Sequence, residues 1–256
     1  MKKVLGILMV SFIATMASAA VIQQNDFTSA QNGTLPSDIS ALYDPGVDAL
    51  VTGYSNVSGV IADHSGGDGY VLRLADLGST GGGYNWAYVT DYAKATSDSY
   101  AEAWVYINLD TTAFTAERDY GLFIRCTSGA ALGTSASRNG YMFLITANSA
   151  WGTYTPPNFT PFLLKRNGSS GWVMLNQASV TVTNGWHKIK VEAVGTTVKG
   201  YVDDVLVAQA TDSTFTSGIA GMVYYDDNGS PDYPYSGAFD NFVFGTSDAI
   251  NDWTQM

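Results

Sequence analysis

Side chains able to carry acid–base or nucleophilic chemistry are few in this 256-residue chain, and they are scattered. Glutamate occurs only at Glu102, Glu117 and Glu192, histidine only at His64 and His187, and cysteine only at Cys126. Retaining glycoside chemistry needs two carboxyl groups about 5 Å apart, structural zinc needs clustered His and Cys, and a serine nucleophile needs a base within hydrogen-bond reach. None of these spacings emerges, so the reading leans away from an enzyme, with an aspartate pair left open. His64 sits in the loop Asp63-His64-Ser65-Gly66-Gly67-Asp68-Gly69 and reads as a turn residue; His187 reads as a satisfied core histidine. Cys126 ends the apolar run Leu122-Phe123-Ile124-Arg125-Cys126 and reads as a buried structural thiol.

Recognition chemistry is better represented. Tyr84, Trp86 and Tyr88 alternate onto one face of a strand, and Glu102, Trp104 and Tyr106 onto one face of another, with Ala103, Val105 and Ile107 on its opposite side. If the aliphatic side joins the core, the aromatic side is an outer surface. Sugars suit it, because their C–H faces pack on rings while their hydroxyls seek carboxylates. The expected ligand contacts are Trp86, Trp104 and Tyr106 for stacking, Glu102 for hydroxyls, and a rim of Trp151, Tyr154 and Tyr235 from two aromatic, Pro-containing loops. The competing expectation makes these rings the core and folds the loops back over the sandwich edge. A further loop, Asp226-Asp227-Asn228-Gly229-Ser230-Pro231-Asp232, has oxygen side chains at alternate positions, but no Glu completes an EF-hand pattern, and an acidic surface turn is the favoured reading.

These residues need short strands to hold them, and the chain supplies them. Runs at 21–27, 56–62, 70–75, 84–90, 99–109, 120–127, 141–147, 162–166 and 172–176 read as strands bounded by Gly, Asn, Asp and Pro. From Trp186 to Ala193 the alternation is strict, with His187, Ile189, Val191 and Ala193 on one side and Lys188, Lys190 and Glu192 on the other. A hairpin turning at Asp203-Asp204 follows, then two more apolar runs at 218–225 and 238–244. No amphipathic helix of useful length is visible. The expected fold is all-β, an antiparallel two-sheet β-sandwich.

Residues 1–20 read as an export signal, with Lys2-Lys3, an apolar run to Thr15 and the small-residue site Ala17-Ser18-Ala19. One domain over 21–246 and a short tail over 247–256 are expected, in a secreted or periplasmic protein without a membrane span. The net charge is −11, and removing Lys2 and Lys3 with the signal takes it to −13. Nucleic acid and anionic membranes are therefore poor partners.

The order of motifs resembles the concanavalin A-like lectin/glucanase superfamily, in particular its laminin-G-like jelly rolls. The matching pieces are Asn25-Asp26-Phe27, Gly67-Asp68-Gly69-Tyr70, Ala101-Glu102-Ala103-Trp104-Val105, Gly185-Trp186-His187-Lys188 and Phe239-Asp240-Asn241-Phe242. The resemblance implies a structural calcium held by Asp26, the Gly69 carbonyl and Asp240. The Glu-x-Asp-x-x-Glu strand of the family's glucanases and the Gln-x-His and Arg-x-Glu-x-Arg signatures of its lyases are missing. The resulting expectation is a calcium-stabilised, non-catalytic carbohydrate-binding module. Its alternatives are a structural or adhesive envelope protein with protein partners, and a glycan-cleaving enzyme with an unrecognised acid pair.

Overall fold

The computed structural model describes residues 19–42, 47–57, 62–76, 83–89, 91–108, 118–127, 139–147, 159–167, 171–226 and 236–247. The strands in chain order are β1 (Val21–Asn25), β2 (Ile39–Leu42), β3 (Val47–Gly53), β4 (Tyr70–Asp76), β5 (Gly83–Val89), β6 (Ser99–Ile107), β7 (Arg118–Cys126) and β8 (Asn139–Ala147). They continue with β9 (Thr160–Asn167), β10 (Trp172–Gln177), β11 (Gly185–Val194), β12 (Thr197–Val202), β13 (Val205–Thr211), β14 (Ile219–Asp226) and β15 (Ser236–Thr246). Among the described residues the only helices are three single 3-10 turns, and no helix is long and apolar enough to cross a membrane.

Two antiparallel sheets result. One runs β13-β12-β11-β6-β15-β4-β3, with β1 also paired to β15; the other runs β10-β9-β8-β7-β14-β5-β2. Strict alternation puts Ala101, Ala103, Val105 and Ile107 of β6 and Ile189, Val191 and Ala193 of β11 into the space between the sheets. There they meet Tyr120, Leu122 and Ile124 of β7 and Tyr141, Phe143 and Ile145 of β8. Gly200 shows how tightly the layers interlock: a Cβ there would lie 2.3 Å from Cδ2 of Phe143, so only glycine lets that ring enter. The Asp203-Asp204 turn has both residues at positive φ, +50° and +65°, the geometry of a two-residue hairpin whose twist matches its strands.

Strand prediction succeeds wherever alternation is long, and fails at two places. β2 and β3 carry no clear period-2 pattern, and the run 56–62 expected as a strand instead begins with a 3-10 turn at Tyr54–Asn56, while residues 58–61 lie outside the described set.

β15 organises one end of the first sheet. Its early residues Ser236–Phe239 pair with β4, and its later residues Phe242–Gly245 pair with β1, so two strands share one of its edges in series. Asp240 and Asn241 fall between the two pairings. On the other edge, facing β6, the register slips between Asp240 and Val243, and Asn241 takes a positive φ of +49°.

Candidate functional site

The outer face of the first sheet is built by register. Strand neighbours lie about 4.8 Å apart and side chains alternate, so the residues of β6, β11 and β12 that point away from the core form rows. Tyr106 stands opposite Trp186, Trp104 opposite Lys188, Glu102 opposite Lys190 and then Tyr201, and Tyr100 opposite Glu192 and then Lys199. Two of the three glutamates of the chain meet three of its lysines on this one face.

The charges are paired in place. Lys188 Nζ lies 3.2 Å from Glu102 Oε1 and 2.9 Å from Asp204 Oδ1, and Lys190 Nζ lies 3.2 Å from Glu192 Oε1. The Tyr201 hydroxyl donates to Glu192 Oε2 at 3.1 Å. Lys190 Nζ also sits over two rings, 4.9 Å from the centre of Tyr100 and 5.2 Å from that of Tyr201. The hydrogen bond from Lys188 to Asp204 raises the lysine's pKa against the effect of burial, with Glu102 adding to the rise; burial, helped by Glu102, raises that of Tyr100. The face thus offers fixed donors, fixed acceptors and ring surface side by side.

One end of the patch is closed by the 62–69 loop. His64 is buried, its ring stacked on Trp104 with centroids 5.0 Å apart and planes 11° apart, and it meets Trp186 edge-on at 5.3 Å. His64 Nε2 lies 2.6 Å from Asp240 Oδ2 and Nδ1 lies 3.2 Å from the Ser65 carbonyl. The Nε2–Oδ2 bond holds one proton, whichever of the two atoms bears it. Burial pushes the Asp240 carboxyl up to about 6, while His64 and the Asn241 amide, which donates to Oδ1 at 2.7 Å, pull the other way.

The loop is preformed. Asp63 accepts from the His64 amide at 2.8 Å and the Gly69 amide at 2.7 Å, and a Cβ on Gly67 would lie 2.3 Å from Asp63 Oδ1, so glycine is required for that closure. Trp186 Nε1 donates to the Ala62 carbonyl at 2.8 Å, and Tyr106, buried with Val57, Val71 and Ala238, meets Trp186 edge-on at 5.4 Å.

The structure gathers Glu102, Trp104 and Tyr106 on one outward face, with the aliphatic side of β6 in the core. It separates Trp86 from them. Trp86 belongs to the second sheet, 1% exposed, edge-on to Phe123 at 5.2 Å among Met142, Leu144, Phe162 and Val223. Its strand lies on β14 and β2, not beside β6, so the expected groove floor joining Trp86 to Trp104 does not form. Tyr106 is 8% exposed and one face of Trp104 is covered by His64, which leaves neither as an open stacking platform. Trp151, Tyr154 and Tyr235, and most of the 226–232 loop, lie outside the described residues.

The expected calcium ligands are not assembled. Asp240 groups with His64 and Asp63, whose ligand atoms all lie within 4.8 Å of one another, and Asp26 stands outside that group. Asp240 has both oxygens engaged by His64 and Asn241, and the Gly69 carbonyl accepts the Tyr54 amide at 3.0 Å. A hard cation wants several oxygens; here Asp240 shares its carboxylate with an imidazole, and its neighbours within ligand reach are Asp63 and His64 instead of Asp26.

Sequence reasoning missed His64, read as a turn residue, because its partner Asp240 is 176 positions away. It also missed Trp186, Lys190 and Tyr201 as one surface. The alternation of Lys188, Lys190 and Glu192 was the available signal, but nothing local says which strands lie beside it. His187 is not core: it holds Asp203 Oδ2 at 2.8 Å and the Thr183 carbonyl at 3.0 Å at the sheet's margin.

No protein-family model and no curated protein matches this chain. Solved structures do. The carbohydrate recognition domain of Emp47p aligns with a TM-score of 0.55 at 12% identity over 93% of this chain and 100% of that one. A Bacillus subtilis protein of galectin-like fold aligns at 0.54 and 10% identity, over 89% and 97%. LamA from Zobellia galactanivorans, in a complex with laminaritriose and laminaritetraose, aligns at 0.51 and 11% identity, over 89% and 98%. At such identities the likeness speaks for architecture alone, the antiparallel two-sheet β-sandwich of jelly-roll type.

Proposed function

We propose that this protein is an exported, non-catalytic carbohydrate-binding module and that the outer face of β6, β11 and β12 carries the glycan. The observation behind this reading is the lattice of Tyr100, Glu102, Lys190, Glu192 and Tyr201, in which rings and paired charges alternate at fixed register on a chain with only 14% charged residues. Ring faces take sugar C–H surfaces, and the carboxylates and ammonium groups take hydroxyls without having to be ordered first. A recognition domain and an oligosaccharide complex among proteins of the same fold support the ligand class.

Affinity electrophoresis against plant, algal and bacterial polysaccharides tests it. At least one polysaccharide should retard the protein, and the double variant Tyr100→Ala/Tyr201→Ala should bind roughly tenfold or more weakly, from about 0.5–1.5 kcal/mol per ring. If no polysaccharide retards the wild type, or the variant is retarded equally, the reading fails.

A second reading, adhesion to protein partners at the cell envelope, draws on one observation. The edge strands β10 and β13 lie side by side without a charge in either, and expose Val173, Met174, Val205 and Leu206. Sedimentation velocity over a concentration series would show self-association if that edge is adhesive.

A further inference from the structure

We propose that the depression beside the end of β1, walled by the 29–38 segment, is a second carbohydrate subsite that accepts one neutral sugar residue. It shares with the sheet-face reading only the class of ligand; none of its residues belongs to β6, β11 or β12. The cavity holds about 460 Å³ and opens to solvent, within the range of roughly 300–1,000 Å³ usual for small-ligand sites.

Its chemistry selects the ligand. The wall presents the carboxylates of Asp26 and Asp38, the carboxamides of Asn25 and Gln31 and the hydroxyls of Thr34 and Ser37, with no Lys, Arg, His or aromatic ring. Two carboxylates without a cation reject phosphates, sulfates and uronates. A wall of polar atoms gives an apolar ligand nothing to bury against. Sugar hydroxyls both donate and accept, so they can give to Asp26 while taking from the carboxamides and hydroxyls. Gln31, which lines the depression, has its Oε1 buried without a hydrogen-bond partner in the protein, an acceptor that a sugar hydroxyl would satisfy.

The wall is also rigid before any ligand arrives. The Gln31 amide donates to the Thr28 carbonyl at 2.9 Å, and the Thr34 amide and hydroxyl both donate to the Gln31 carbonyl, at 3.0 and 2.8 Å. Gly33 and Thr34 are pinned to Val51 of β3 by two backbone bonds of 2.8 and 2.9 Å, and the Phe27 amide donates to Asn25 Oδ1 at 2.9 Å. Behind the wall, Gln23 bridges Asp38 to Lys94. A ligand therefore meets a site whose ordering cost is already met by the fold.

Amide NMR spectra of the protein titrated with methyl glycosides of glucose, galactose, mannose and xylose test the proposal, with sodium glucuronate and calcium chloride as separate arms. At least one glycoside should shift the amides of Asp26, Thr34 and Ser37 saturably, with a Kd of about 1–50 mM, a few kcal/mol of binding. Glucuronate should not. Ser37 is exposed, so Ser37→Trp should fill the depression without unfolding the protein and abolish the shifts, while Ser37→Thr keeps them. The proposal is overturned if no glycoside moves these amides, if the shifts survive in Ser37→Trp, or if calcium alone produces them. Retardation by polysaccharides and its loss in Tyr100→Ala/Tyr201→Ala report on the sheet face separately, so either site can fail without the other.

Discussion

Replacing His64 by alanine probes the closed end of the sheet face. The imidazole is the partner of an Asp240 side chain only 2% exposed, and its removal leaves Oδ2 buried without a donor, while Oδ1 keeps the Asn241 amide. Deleting one member of such a buried pair costs about 3–5 kcal/mol, because the surviving carboxyl must either stay charged without a partner or take up a proton, toward which burial already pushes it. Loss of the ring from Trp104 adds about 0.5–1.5 kcal/mol. His64→Ala should therefore destabilise by roughly 4–6 kcal/mol at neutral pH, from these two contributions. The diagnostic step is the double variant His64→Ala/Asp240→Asn. A neutral amide left unsatisfied costs only about 1–3 kcal/mol, so the second substitution should restore about 2 kcal/mol to a protein already missing its histidine. Urea unfolding at pH 7, with m-values compared across the four proteins of the cycle, measures this. If Asp240→Asn destabilises the His64→Ala protein further, or the two effects simply add, then Asp240 is not a buried partner of His64 and the description of this end of the site is wrong.

Three further outcomes are expected. Burial pushes the Asp212 carboxyl up, but bonds from Lys165, Thr214 and Tyr141 outweigh it and hold the group well below its usual range. The stability this confers is fully present above the unfolded value of about 3.9 and is lost as pH falls below it; the midpoints of wild type and Asp212→Asn should thus converge between about pH 4 and pH 2. Gly200→Ala should cost about 1–3 kcal/mol, since its methyl would press on Phe143 in a filled core, and denaturant unfolding would show it. Calcium and a chelator should leave the thermal midpoint unchanged to within about a degree, because a ligand shifts it only by binding the native state; a clear rise with calcium would instead support the site expected of Asp26, Gly69 and Asp240.

Much of the fold is legible from residue order, since an inward-facing strand declares itself by alternation. β6, β11 and the Asp203-Asp204 hairpin can be read directly, and the outward face of β6 follows from which of its sides is aliphatic. What cannot be read is adjacency. Trp86 and Trp104 look alike in sequence, each the centre of an aromatic strand face, yet their strands went to different sheets. That choice depends on pairings across long stretches of chain, not on the residues nearby. His64 illustrates the same limit: a histidine among glycines and aspartates has the local chemistry of a turn, and only the β15 bulge, carrying Asp240 into the notch between β4 and β1, makes it a buried partner.

The pairing of the first strand with the last has a consequence in time. Val21 is partnered by Gly245, and the backbone is tied again where the Thr246 amide donates to the Ala20 carbonyl at 2.8 Å. During synthesis β1 has no β15 to pair with until residues 242–245 are made, and the edge of β4 that faces β15 waits with it. Non-local pairing of this kind makes folding slow. In the folded protein β15 is in turn the partner of β1, β4 and β6, so these three pairings all depend on residues 236–246.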